Sequence, residues 1–297
     1  MKHRYTISLI ASLFCIISAG QSMPFMSTGT DIAGLGMGSV SVASNASAFS
    51  ADGNIAAAAL SEKRMEAEAG YSLWQPEVFC HSIPGLGIYY RTGNRIAVGL
   101  SGKYLIEKEY GIIGEDGIES NVYRPKEGLL SIGASYRIID GLAVGAGLKV
   151  AFSKIAPNAG STVFAADIHA LYSIKGVNIA FGVSNIGNKA DYGNGKYGIP
   201  TMLRTGVAYS IAGFTCNAEA DWQFGAGIMA SAGAEYSIMD IIDIRAGYHY
   251  GQNGTVLPTF ASVGLGFEFF GVNLDAAYLI SAGAMKNTFS VGLGYSF

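Results

Sequence analysis

The sequence predicts an all-β chain, a 14-stranded antiparallel transmembrane β-barrel with an N-terminal plug segment in its lumen. Three observations predict it. From residue 65 onward apolar side chains recur at every second position, the period of strands and not of helices. The connections between these segments alternate between very short and long, as the periplasmic turns and external loops of a membrane barrel do. The ionisable residues keep to one parity, the face that would look into a lumen rather than into lipid.

Composition agrees. The 297 residues have a mean hydropathy of +0.31, yet no stretch after residue 22 is a run of the roughly 18 apolar residues that a membrane helix needs. Only 14% of residues are charged, whereas 41 glycines, 17 tyrosines and 15 phenylalanines are the material of short strands and tight turns. A soluble α/β enzyme is disfavoured. The net charge of −3 and the lack of a Lys/Arg cluster argue against nucleic acid as a partner.

Residues 1–22 read as a secretory signal. Lys2, His3 and Arg4 form its basic start, Ile7 to Ile17 its apolar core, and Ser18, Ala19 and Gly20 precede a cleavage that leaves Gln21 or Met23 first. Phe14 is too bulky to precede Cys15 in a lipoprotein signal. Cys80 and Cys216 are too few and too far apart for a disulfide framework or a metal site, so both are expected to be free and no cofactor is expected.

Residues 23–64 show no strand alternation and are rich in Gly, Ala, Ser and Asn, with Gly34, Gly36 and Gly38 spaced by two. A phosphate-binding glycine loop would need a βαβ context that is missing. Close packing is the better reading: small residues let this segment lie against inward glycines such as Gly99, Gly133, Gly145, Gly147, Gly182, Gly264 and Gly266. A barrel of this size has room for it. Ala56 to Met65 is expected to hold one or two helical turns.

The barrel, residues 65–297, divides into segments at about 65–74, 83–91, 94–106, 128–138, 141–153, 162–174, 176–186, 200–211, 213–224, 228–238, 241–250, 259–269, 271–280 and 286–297. The last is the cleanest, with Phe289, Val291, Leu293, Tyr295 and Phe297 alternating with small polar residues. Short turns are expected at Thr92-Gly93-Asn94, Asp140, Lys175, Ala212, Met239-Asp240 and Phe270; long loops at 107–127, 154–161, 187–199 and 251–258.

Every second segment carries an outward aromatic at its short-turn end: Tyr90, Tyr136, Tyr172, Tyr209, Tyr236, Phe269 and Phe297. These would form a periplasmic-side girdle at headgroup level. On the inward parity stand Lys103, Arg137, Lys149, Asp167, His169, Arg204, Glu219, Asp221, Glu235, Asp243, Arg245, His249, Glu268 and Asp275, with Glu66 and Glu68. Their mixed signs suit a polar network contacting the plug better than an ion-selective ring. Asp167 and His169 share a strand face, but no positioned nucleophile accompanies them, so no catalytic site and no enzyme is expected.

Six stretches together carry a family resemblance. They are Gly29-Thr30-Asp31-Ile32-Ala33-Gly34-Leu35-Gly36-Met37-Gly38, Val163-Phe164-Ala165-Ala166-Asp167-Ile168, Ser184-Asn185-Ile186-Gly187, Pro200-Thr201-Met202-Leu203-Arg204-Thr205-Gly206-Val207-Ala208-Tyr209, Arg245-Ala246-Gly247-Tyr248 and Leu274-Asp275-Ala276-Ala277-Tyr278. In order and spacing the chain resembles the PorV/PorQ family of outer-membrane barrels, which is similar in fold to the long-chain fatty-acid transporter barrel and includes type IX secretion components. It departs at Asp52-Gly53-Asn54-Ile55-Ala56-Ala57, where that family reads Asn-Pro-Ala.

The resemblance implies a non-enzymatic protein in the outer membrane of a Gram-negative bacterium, surrounded by lipid. It would anchor or hand over a secreted or surface protein partner through the loops at 75–82, 107–127 and 187–199. The alternative is a transporter of a hydrophobic small molecule, whose ligand would occupy an apolar pocket between plug and wall.

Overall fold

In the computed structural model, described over residues 21–76, 81–113, 119–193, 195–281 and 285–297, fourteen strands close a barrel in which every neighbour is antiparallel. Residues 1–20 of the expected signal, Cys15, Cys80 and parts of the expected loops 75–82 and 107–127 lie outside the described residues.

The first strands are β1 (Met65–Trp74), β2 (His81–Thr92) and β3 (Ile96–Ile106), followed by an external hairpin of β4 (Tyr110–Ile113) and β5 (Glu119–Tyr123). Then come β6 (Lys126–Ile139), β7 (Leu142–Ala156), β8 (Ala159–Ile174) and β9 (Val177–Gly187). A second loop hairpin, β10 (Ala190–Asp191) with β11 (Lys196–Tyr197), precedes β12 (Met202–Ile211), β13 (Phe214–Gln223) and β14 (Gly227–Ile238). The barrel ends with β15 (Ile242–Gly251), β16 (Phe260–Phe269), β17 (Val272–Ile280) and β18 (Thr288–Ser296). Closure is made by β1 on β18, from Glu66 opposite Ser296 to Leu73 opposite Phe289. The wall of the barrel thus has no free strand edge.

Each of the fourteen expected segments is a barrel strand. The two loop hairpins were not expected; at two to five residues per strand they are too short to show a period.

The alternation has the sense the sequence implied. On β18, Val291 and Leu293 are 46% and 55% exposed, whereas Ser290, next to Val291, is 1% exposed and bonds Ser72 across the seam. Large apolar side chains therefore cover the outside and small polar ones face in, the reverse of a soluble sandwich and what a lipid solvent requires. At the short-turn end, Lys175-Gly176, Ala212-Gly213, Met239-Asp240 and Phe270-Gly271 all have positive φ at both positions. This is the type I′ geometry whose twist matches that of the flanking strands.

The N-terminal segment enters the barrel as a 3-10 turn, Pro24–Ser27, followed by short helices at Ile32–Gly36 and Ala56–Leu60. Asp31 caps the first helix by accepting from Gly34 N at 3.1 Å. The second stops at Leu60, short of the expected Met65, because Ser61 turns extended and the chain then enters β1. The segment touches the wall on opposite sides: a Cβ added at Gly145 of β7 would meet Ile55 and Ala56, and one at Gly247 of β15 would meet the backbone of Met37 and Gly38. Only glycine permits so close an approach.

Candidate functional site

The lumen is stratified along the barrel axis. At its loop end an apolar cluster stands among polar inward residues such as Glu127, Gln223 and His249. Trp74, Leu105, Leu129, Met202, Phe260 and Leu279, from as many strands, form one buried cluster with Met23, Phe25 and Met26 of the N-terminal segment. At these six positions the inward residue is apolar, and it packs on the segment. His249 stacks flat on Phe260 at 5.0 Å and 16° and bonds Ser231 Oγ at 2.8 Å.

Below this mouth lies a belt of ion pairs. Asp52, from the N-terminal segment, sits 3.0 Å from the Lys103 ammonium and 3.1 Å from that of Lys149. Lys149 also pairs with Asp167 at 2.7 Å. The second Asp167 oxygen accepts from Asn185 N at 2.8 Å. Burial pushes the Asp52 carboxyl up, and the two ammoniums more than offset this, holding it at about 2. Lys103 donates as well to the Thr28 carbonyl at 2.6 Å. On the other side of the lumen Arg204 pairs with Glu219 and, at 3.2 Å, with Asp221. Glu219 in turn accepts from Ser41 N and Val42 N at 2.7 and 2.9 Å. Wall charges thus hold the segment's backbone from two directions.

The third stratum faces the short turns. Arg245 pairs with Glu235, Asp243 and Asp275. Arg137 donates to the Ala59 carbonyl at 2.9 and 3.1 Å, closing the end of the Ala56–Leu60 helix. Lys63 pairs with Glu268 at 3.1 Å, and Glu66 accepts from Ala48 N at 3.1 Å. Between these groups opens a vestibule of about 630 Å³. A central cavity of only about 80 Å³ lies above it, and Asp31 and Asn45 line both.

Every inward residue named from the sequence is buried or half-buried, and most lie in these strata. Asp167 and His169 are not joined as a pair: the first bonds Lys149 and Asn185, the second Ser184 Oγ at 3.0 Å. Tyr90, Tyr136, Tyr172, Tyr209, Tyr236, Phe269 and Phe297 are exposed on the outer surface, and the Arg64 guanidinium lies 5.4 Å over the Tyr90 ring. Sequence reasoning missed Asp52, Asn185 and Glu127. Asp52 is an acid in a run of small residues, and Glu127, which accepts from Ser153 Oγ at 2.6 Å, reads as the end of a loop.

No family model matches the chain, and no curated protein sequence does. Solved structures do. The toluene transporter TbuX of Ralstonia pickettii is 13% identical with a TM-score of 0.65, the match covering 92% of this chain and 99% of TbuX. The CymD monoaromatic hydrocarbon channel is 15% identical with a TM-score of 0.67, over 91% of this chain and 98% of its own. A Pseudomonas aeruginosa FadL homologue is 14% identical with a TM-score of 0.60, over 90% of this chain and 95% of its own. At such identities the likeness is one of fold: the chain shares the barrel architecture of these proteins.

Proposed function

We propose that this chain is an outer-membrane channel for small hydrophobic molecules, with residues 23–64 as the hatch that closes it. The apolar mouth carries this reading. A barrel for ions or sugars keeps a polar lumen, whereas here Phe25 and Met26 fill an enclosed apolar space at the loop end. An apolar guest arriving from outside could take the place of these side chains without stranding a polar group, since methionine repacks readily. The similarly folded proteins include a toluene transporter and a monoaromatic hydrocarbon channel, which supports the same class of cargo. The girdle would hold the barrel at headgroup level, and the ion-pair belt would return the hatch to its closed position.

The test is influx of an uncharged aromatic probe into proteoliposomes. Met26→Asp and Phe260→Asp each place a charge in the mouth and are expected to reduce influx several-fold in assembled barrels. Influx equal to that of protein-free vesicles would overturn the reading.

A second reading follows the PorV/PorQ resemblance, in which the barrel is a scaffold for a secreted or surface protein of a type IX-like pathway. The β4–β5 hairpin favours it: Tyr110 bonds the Ile155 carbonyl and so props the hairpin on β7, while Val122 stands 64% exposed. A protein recovered with the barrel from native outer membranes, and lost when residues 110–123 are replaced by a short turn, would support the scaffold.

A further inference from the structure

At the loop end of the outer wall two lysines face each other. Lys126 begins β6, Lys154 stands two residues before the end of β7, and the two are direct partners in the register of these strands. Both are exposed and share the outward parity of Leu130 and Phe152. Like charges directly opposite each other on one face of a sheet repel. Neither ammonium has an ion pair or hydrogen bond among the described residues. Two acids nearby in the chain are engaged elsewhere: Glu109 pairs with Arg124 at 2.8 Å, and Glu127 turns into the lumen to accept from Ser153 Oγ at 2.6 Å. The lysine pair therefore calls for an anion from outside the chain.

A second feature lies on the same lipid-facing surface, one step nearer the midplane. A groove of about 590 Å³ runs over β2, β3 and β6. Pro84, Leu86, Leu100, Tyr104 and Leu130 wall it, and Gly102, paired with Leu86 on one side and Leu130 on the other, is its floor. A Cβ at Gly102 would make only ordinary contacts, at 3.5 Å and beyond, so backbone packing does not impose this dent. Tyr104 closes its upper end, facing the Phe152 ring at 6.1 Å. Phe152 and its partner Gly128 are the next outward positions below Lys154 and Lys126. Two strand residues, about 7 Å, thus separate the ammoniums from the head of the groove.

Two cations above an apolar groove on a membrane wall fit a lipid with an anionic head. A phosphate monoester carries nearly two charges and three acceptor oxygens, enough to answer both ammoniums, where a carboxylate brings one charge. We propose that this surface binds a phosphorylated lipid of the loop-side leaflet, its phosphate between Lys126 and Lys154 and an acyl chain along the groove over Gly102. The site is on the outside of the barrel and does not depend on what passes through the lumen.

The detergent-solubilised full-length protein is titrated with dimyristoyl phosphatidate, dimyristoylglycerol and inorganic phosphate, and bound molecules are counted by native mass spectrometry. Phosphatidate is expected to bind at least tenfold more tightly than either of the others, which lack its phosphate or its chains. Lys126→Gln and Lys154→Gln should each weaken phosphatidate by about fivefold and leave dimyristoylglycerol unchanged. Gly102→Leu, which fills the groove, should weaken both lipids and spare inorganic phosphate. Lys175→Gln, at the opposite end of the barrel, should change nothing. Equal binding of phosphatidate and dimyristoylglycerol to the unaltered protein would overturn the proposal, as would an undiminished preference in the two lysine variants. Inorganic phosphate displacing the lipid at the lipid's own binding concentration would also overturn it, in favour of a bare anion site. The three-probe comparison on the unaltered protein decides the matter even if a variant fails to assemble.

Discussion

Asp52 ties the N-terminal segment to two strands at once, Lys103 on β3 and Lys149 on β7. Replacing it by asparagine leaves the buried Lys103 ammonium with neutral acceptors only, while Lys149 keeps Asp167. Removing one partner of a buried pair costs about 3–5 kcal/mol in general. With these remaining partners Asp52→Asn is expected to weaken hatch docking by roughly 2 kcal/mol. Faster amide exchange confined to residues 23–60 would show it, and unchanged exchange would count against the anchoring role.

The pH dependence has a definite sign. The Asp52 carboxyl is held at about 2 against an ordinary 3.8, so its contribution is complete above about pH 4 and is lost as pH falls through 2. Asp52 should therefore anchor the segment equally well at pH 7 and at pH 4. Wall residues such as Lys103 and Asp167 were legible in the sequence because strand parity assigns them a face. Asp52 was not, because Ser50-Ala51-Asp52-Gly53-Asn54 has no period from which a face could be read.

The strands themselves were legible to within a few residues, since period 2 persists over nine or more residues in each. The Ile32–Gly36 helix was hidden by its glycines, although Asp31 three residues before Gly34 is a readable cap. Strand parity predicts that Leu293→Arg, which puts a charge near the bilayer midplane, costs about 2–4 kcal/mol and impairs assembly. The opposite face is not thereby permissive: Ser290 is enclosed and bonded to Ser72, so an arginine there would meet a filled lumen. Met239 and Asp240 both occupy positive φ without a glycine. Exchanging them for Asn-Gly should suit the type I′ turn and stabilise the β14–β15 hairpin by about 0.5–1 kcal/mol, raising the unfolding midpoint in urea. A lower midpoint would contradict the turn assignment.

At the scale of the molecule, a wall that is greasy outside and charged inside encloses a segment with an apolar head and a polar, hydrogen-bonded body. On the proposed reading, that combination would close the lumen to ions and leave an apolar entrance that a guest can displace. The fold was readable from periodicity and loop lengths, whereas the stratified lumen was not, since it depends on which end of each strand meets which residue of the segment. The central claim is that residues 23–60 close the lumen. Planar-bilayer recordings of the full-length protein and of a variant lacking those residues test it most directly. The intact barrel should conduct poorly, and the shortened one should show a large, steady conductance that prefers cations, because inward acids outnumber inward Lys and Arg. A comparable steady conductance from the intact protein would contradict the account.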